Sequence, residues 1–291
     1  MPATHVIPLR RETLHGHFST DLTPVLTVDP GDSVTFQALA AFWHWDAGGA
    51  TWLDDLHPVL DDGHPLTGPI AVRGARAGGT LEVRIDVVRP RDWGITFGGK
   101  SALEWQLNGS TGVTADGAQS VALAPFLGVI GMPPPEPGVH STIPPRRFGG
   151  NIDCKELTAG ATLLLPIGVD GALLSAGDGH AAQGDGEVSG TAIECPLDEV
   201  RLTLGLRPDL DLRMPVARTD SAWIAFGFDH DLDVAADMAL QTMLDLMQRE
   251  HGLDRERALA LASVSVDLRV TQVVNEAKGV HAVLRHEAFS A

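Results

Sequence analysis

The segment 174–187, LSAGDGHAAQGDGE, sets Asp178, His180, Gln183, Asp185 and Glu187 among glycines. Carboxylates, an imidazole and a carboxamide are the side chains that ligate divalent metals and move protons. Asp178 and His180 are separated by one residue, a spacing that sends both to one face of an extended backbone. A carboxylate and an imidazole so placed form half of a site for Zn²⁺ or a related ion. Asp185 and Glu187 repeat the spacing, and the glycines let the chain turn tightly and approach a ligand closely. So much glycine predicts a turn rather than a regular helix or strand. The plain alternative is a solvated acidic turn that carries a histidine.

Other polar groupings weigh against that alternative, although each alone is a weak signal. FWHWDAGG sets His44 and Asp46 at the same alternate spacing between tryptophans, and FGGNIDCK places Asn151 and Asp153 after two glycines. Glu194, in TAIEC, falls in an expected strand, where a buried carboxylate must be hydrogen-bonded, paired or bound to metal. Several familiar chemistries are missing from the sequence. It has no G-x-S-x-G elbow, no H-E-x-x-H and no C-x-x-C. Cys154 and Cys195 both sit beside expected strands, where a thiol is usually inert. What remains is chemistry on water, activated by a metal and a carboxylate.

The elements that must position these residues are mostly strands. Residues 22–39 read as short apolar runs around a turn at Asp29-Pro30-Gly31-Asp32. In 69–88 a short strand meets a glycine-rich turn at 74–79, and then Leu81, Val83, Ile85 and Val87 alternate with polar residues. That alternation marks a half-buried strand. Residues 160–175, 200–206, 264–274 and 279–285 add further strands. One helix is predicted from Leu232 to His251, capped by Asp231 or Asp233 and ended by Gly252, with Val234, Met238, Met243, Leu244 and Met247 as its packing stripe. A shorter helix follows the cap Asp254. Two long loops are expected, 89–118 and the proline-rich 131–150; the second reads as a wall or lid, or as a linker. The pattern predicts a mainly β, β-sandwich-like fold with a small α/β portion near the C-terminus. We take 1–291 as a single domain that could divide near 131–150.

The 291 residues carry a net charge of −17, with acids spread along the chain, and 44% of residues are hydrophobic. Such a surface repels phosphate backbones and anionic membranes, so neither nucleic acid nor a membrane is an expected partner. Two cysteines make no disulfide framework and read as buried thiols in a reducing compartment. The N-terminus lacks the apolar stretch of a signal peptide, and no run reaches spanning length, so the protein is expected in the cytoplasm.

Five stretches together resemble the acetamidase/formamidase family. They are LHGHFSTDLTPVLTVDPGD (14–32), HPLTGPIAVRGARAGGTLEV (64–83), PFLGVIGMPP (125–134), FGGNIDCKELTAGATLLLPIGVDGALLSAGDGHAAQGDGEVSGTAIE (148–194) and SVSVDLRVTQVVN (263–275). The Gly-Gly-Asn-x-Asp and Gly-Asp-x-His-x-x-x-Gly-Asp-Gly-Glu pieces are the most specific. The resemblance implies hydrolysis of a short amide to a carboxylate and ammonia, a divalent metal, and assembly into a homodimer or higher homo-oligomer. The chain is shorter than the longer formamidase members, which favours the acetamidase-type branch. For such a reaction we assign His44, Asp46, Asp178 and His180 as metal ligands, with Asp153 next. Zn²⁺ suits imidazole with carboxylate, and Ca²⁺ is the alternative or second ion on carboxylate and carbonyl oxygens. Glu187 is the general acid/base and Glu194 the second choice, while Asn151 and Gln183 hold the amide or the oxyanion. Asp185 either joins the site or binds its own turn. Trp43, Trp45 and Phe126 either wall a small pocket or pack in the core. Two other functions stay open at this point: hydrolysis of another small C–N bond, and non-catalytic binding of a small ligand around a structural metal.

Overall fold

The apolar run of Thr162–Pro166 lacks the alternation of a half-exposed strand because both of its faces are covered. Leu163 and Leu165 belong to one hydrophobic cluster and Leu164 to another. The structure, a computed structural model, describes residues 2–46, 49–50 and 56–289. Thr162–Pro166 lies inside a nine-stranded sheet. The sheet runs Thr4–Val6, Ser33–Ala38, Leu197–Leu206, Thr80–Pro90, Thr162–Pro166, Val216–Arg218, Ala222–Asp229, Lys278–Arg285 and Val266–Gln272. Only its first pair is parallel.

A six-stranded sheet covers one face. Its order is Gly149–Asn151, Phe126–Gly131, Leu174–His180, Leu66–Val72 and Leu14–His15, with Leu26–Val28 pairing alongside Leu66–Val72. Val34, Val83 and Leu202 of the larger sheet share a core with Ile70, Leu127 and Leu174 of the smaller. This is the sandwich that the strand alternation predicts.

Two helices cover the opposite face, α1 (Leu232–His251) and α2 (Arg255–Ser265). Asp231 caps α1 by accepting from the N–H groups of Asp233 and Val234, and Gly252 ends it in the left-handed conformation. Asp254 caps α2 through the N–H of Arg257. Ala235, Ala239, Met243 and Met247 pack against Val216, Ala225, Val280 and Ala282. The methionines are therefore core, but Val234 points outward, 46% exposed. Small residues face the sheet because α1 sits close: a Cβ at Gly227 would fall 2.1 Å from the carbonyl oxygen of Ala235.

Two expectations fail on glycine. Most of 89–118 is not loop. Trp93–Gly98, Ser101–Asn108 and Thr111–Thr114 join Ser120–Ala122 in a four-stranded antiparallel sheet. The turns are two-residue hairpin loops, Gly99-Lys100 and Gly109-Ser110, whose glycines take positive φ. The glycines therefore close hairpins rather than dissolve structure. Likewise Leu174–His180 is a fully buried strand paired on both sides, not a turn. The 131–150 stretch stays irregular apart from Gly131, which ends Phe126–Gly131, His140–Ser141 and the start of Gly149–Asn151.

His15, buried on a short strand, faces the carbonyl of His17 through Nδ1 and the Ser175 hydroxyl through Nε2. Burial lowers its pKa to about 4. The unfolded chain protonates this histidine near 6.5, so it binds more protons than the folded chain between those values. Stability contributed by neutral His15 is thus complete above pH 6.5 and is lost as pH falls towards 4. We expect denaturation midpoints to drop across that window, and His15→Gln to flatten that part of the profile.

Candidate active site

Four stretches of chain deliver carboxylates to one imidazole. The ring of His180 ends the Leu174–His180 strand. Its Nε2 lies 3.4 Å from Asp178 Oδ2 and 3.3 Å from Glu194 Oε2, and its Nδ1 lies 3.8 Å from Asp153 Oδ1. Asp153, His180 and Glu187 bring ligand-type atoms within 4.8 Å of one another, as do Asp178, His180 and Glu194. All five residues are buried. Phe126, opposite His180 in the strand register, packs edge-on against the ring at 5.0 Å between centroids.

The backbone is shaped for this convergence. Gly177 and Gly179 leave no room for a Cβ, which would lie 2.3 Å from the carbonyl oxygens of Pro65 and Cys195 respectively. Asp178 itself is left-handed at φ 62°, as are Asp153 at 52° and Glu187 at 43°. Non-glycine residues in this region concentrate at functional sites because the surroundings must hold them there. The turn before Glu187 is clamped to the Val266–Gln272 strand, where Gly186 donates to Thr271 and Val273 donates back to Gly186. Glu194 Oε1 accepts from the N–H of Ala192 at 2.9 Å. Asp153 Oδ2 accepts from Asn275 Nδ2, and Gln183 Nε2 holds the Asp153 carbonyl at 2.8 Å.

Four acids around one histidine are an electrostatic problem in a dry interior. Burial pushes Asp153 well above the usual carboxylate range, and neighbouring Glu187 pushes it further. Burial likewise raises Glu194, and it raises Glu187 to about 7. Burial alone would favour neutral His180, but Glu194 and Asp178 override it and raise its pKa well above the ordinary value. Asp178 goes the other way, to about 2: burial raises it, but the charges of His180 and His64 and the hydrogen bonds with His180 and Glu194 together outweigh burial. Asp153 Oδ1, Asp178 Oδ1, His180 Nδ1, Glu187 Oε2 and Glu194 Oε2 are buried without hydrogen-bond partners among the described residues. A divalent cation fits this set: it takes oxygen and nitrogen donors and offsets the excess negative charge.

Not every candidate from the sequence arrives here. His44 and Asp46 occupy a small hairpin strand, His44–Asp46, paired with Gly49–Ala50. Asp46 is exposed and approaches Arg91 at 3.5 Å. Neither residue is in a potential metal-ligand group among the described residues. Their alternate spacing is real, but the bulged hairpin keeps Asp46 in water. Asn151 is buried on Gly149–Asn151, with its Nδ2 donating to the Ile143 carbonyl and its Oδ1 left free. Asp185 is exposed and ion-pairs with Lys155 instead of binding its own turn. Trp43 is core, and Trp45 packs beside it.

Three contributors were not singled out from the sequence. Gly128 lies opposite the cluster, where a Cβ would fall 2.3 Å from Asp178 Oδ2 and 2.7 Å from Asp153 Oδ1. Asn275 orients Asp153, and the charge of His64 helps lower Asp178. All three stand within the family-like stretches, yet neither an isolated glycine nor a lone Asn or His announces a distant carboxylate. Glu187 and Gln183 also line a cleft of about 370 Å³ with Thr96, Trp105, Ala182 and Ile193, so Glu187 reaches both the cluster and open space.

A β-sandwich thus holds a buried carboxylate–histidine centre beside a cleft, the arrangement of a candidate hydrolase. The Acetamidase/Formamidase family matches residues 4–126 and 136–219, and the chain belongs to that family. An acetamidase of Mycolicibacterium smegmatis is 52% identical over 48 residues, which are 16% of this chain and 12% of that protein. The aligned part is thus a small fraction of that relative's length. The structure of an acetamidase from Bacillus halodurans superposes with a TM-score of 0.86 at 29% identity, over 97% of this chain and 98% of that one. A recombinant predicted acetamidase/formamidase from Thermoanaerobacter tengcongensis gives 0.88 at 26%, over 99% and 97%.

The Gly128 geometry yields a direct test. Gly128→Ala should sharply reduce metal uptake, because the methyl group intrudes between Asp153 and Asp178, at a stability cost of about 1–3 kcal/mol for overpacking the site. Metal analysis of the purified variant at wild-type stoichiometry would show that the space is not a metal site.

Proposed function

We propose that the chain hydrolyses a small linear amide, of the acetamide or formamide kind, to a carboxylate and ammonia. The observation that carries this reading is the convergence of Asp153, Asp178, His180, Glu187 and Glu194, with unpartnered ligand atoms, beside a cleft that Glu187 also lines. The names of similar proteins, acetamidase among them, agree with it.

Asp178, Glu194 and His180 Nε2 would hold a divalent ion, with Asp153 across the ring beside Nδ1; Zn²⁺ is preferred for a mixed imidazole and carboxylate set and Ca²⁺ is the harder alternative. When bound, the ion supplies Lewis acidity, which lowers the pKa of an adjacent water and polarises a carbonyl. Glu187 takes the proton of the attacking water as the new C–O bond forms. It returns that proton to nitrogen as the C–N bond breaks, so ammonia leaves and a carboxylate remains. Gln183 lines the same cleft, and its unpartnered Oε1 accepts from the substrate N–H₂. The free Oδ1 of Asn151 suits the same acceptor role better than binding an oxyanion, since its N–H₂ already donates to Ile143. Trp105 and Ile193 shield the bound amide from bulk water. The proposal includes a cytoplasmic location and a homo-oligomer, as the sequence reading expects. No helix among the described residues is long and apolar enough to cross a membrane.

Ammonia release from formamide, acetamide and propionamide, before and after chelation, tests the proposal; no release from any of them by metal-replete protein would refute it. Glu187→Gln should keep fold and metal while turnover falls by about 10²- to 10⁴-fold, the usual yield of general acid–base catalysis. Hydrolysis near the wild-type rate in that variant removes Glu187 from the proton path. The double variant Asp178→Asn/His180→Ala should purify without metal, and full occupancy would move the ion elsewhere.

A further inference from the structure

Immediately after Asp153 the chain turns, and the next residues face a second polar centre. Cys154, Glu156 and His281 bring a sulfur, a carboxylate oxygen and a ring nitrogen within 4.8 Å of one another. The three come from the turn after Asp153 and from the Lys278–Arg285 strand. Cys154 and His281 are fully buried. The thiol donates to Glu156 Oε2 at 3.2 Å, and His281 Nε2 lies 3.6 Å from that same oxygen. Glu156 Oε1 is turned away, accepting from Lys155 Nζ at 2.9 Å and from Arg269 Nη1 at 2.8 Å.

The histidine carries the argument further. His281 Nδ1 lies 2.8 Å from the Thr271 hydroxyl oxygen, while Nε2 has no hydrogen-bond partner among the described residues. A proton on Nδ1, donated to Thr271, leaves a lone pair on Nε2 aimed at the thiol and the carboxylate. That is how an outer hydrogen bond readies a histidine to ligate. None of these residues has a part in the hydrolysis above.

We propose that Cys154, Glu156 and His281 form a second metal site, for a borderline-soft divalent ion of the Zn²⁺ class. Thiolate and imidazole select such an ion over Ca²⁺ or Mg²⁺, which take oxygen donors. On binding, the Sγ–H bond breaks, the proton leaves to solvent and a sulfur–metal bond forms in its place. Lys155 and Arg269 do not oppose the ion unbalanced, because each also approaches Asp185, and the thiolate offsets part of the metal's charge. Access is from the surface, where Glu156 lines a cleft of about 300 Å³ with Thr158, Ala161 and Ser221. A metal here ties the C-terminal strand to the turn that presents Asp153.

Cobalt distinguishes the two centres, since the carboxylate–histidine cluster contains no sulfur. Full-length protein is stripped by chelation and titrated with Co²⁺. We expect an intense near-ultraviolet thiolate-to-cobalt band in the wild type and in Cys195→Ser. We expect it to vanish in Cys154→Ser, together with about one equivalent of bound metal. Absence of the band in wild-type protein, its loss in Cys195→Ser, or its survival in Cys154→Ser would each overturn the proposal. The wild-type and Cys195→Ser spectra decide the matter even if Cys154→Ser does not fold.

Discussion

Desolvated negative charge around His180 sets the terms for the rest of the molecule. Asp153, Asp178, Glu187 and Glu194 repel one another, and burial denies them water. Left free, such groups would separate or take up protons. They stay together because none is on a free-standing loop: Asp178 and His180 lie in a central strand, Glu194 bridges to that strand, Asp153 hangs on Gly128, and the Glu187 turn is clamped to Val266–Gln272. Strained backbone at three of the four acids, each of order 1–3 kcal/mol, is tolerated only because these attachments over-determine the geometry. A cation held there would supply the missing positive charge, and cluster and ion would then stabilise one another.

The sandwich gives this centre its stiffness. The nine-stranded sheet is covered by the smaller sheet on one face and by α1 and α2 on the other, so both of its faces are dry. The smaller sheet then has to place a polar strand in its middle without leaving its backbone unsatisfied. Glycine solves that problem twice. Gly177 and Gly179 let neighbouring chain press against Leu174–His180, and Gly128 on the adjacent strand clears the volume into which Asp153 and Asp178 point. Hydrogen bonding of the peptide groups and open space for the ligand atoms thus come from the same residue type in one sheet.

Much of this was legible in the amino-acid order. The caps Asp231 and Asp254 fix two helix starts, and the alternation through Leu81–Val87 marks a strand, because local hydrogen bonding and one-sided burial leave direct traces. Asp178, His180, Asp153, Glu187 and Glu194 could be picked out by residue type and spacing. Glycine was misread, since its conformational freedom serves loops, hairpin turns and close-packed strands alike. Gly109-Ser110 did carry a hairpin signal within 89–118. His44 and Asp46 show the converse limit: the spacing matched that of Asp178 and His180, but spacing says nothing about what a strand packs against. Gly128, Asn275 and His64 act through space, across pairings of high sequence separation, and their own neighbourhoods in the chain hold no hint of their targets.

The segment Asp153–Glu156 links these themes. Asp153, left-handed at φ 52°, turns the chain so that its own carboxylate faces His180 while Cys154 and Glu156 face His281. Both flanks are tied to the C-terminal strands, through Asn275 on one side and Arg269 and His281 on the other. Lys155 then joins Glu156 to Asp185, which lies two residues before Glu187. A displacement of the C-terminal strands would therefore move Asp153 and the Glu187 turn together, because Gly186 is hydrogen-bonded to the end of Val266–Gln272 and Asp153 to Asn275 in the turn that follows it. The last strands of the chain, remote in sequence from the glycine-rich carboxylate stretch, hold the centre in register.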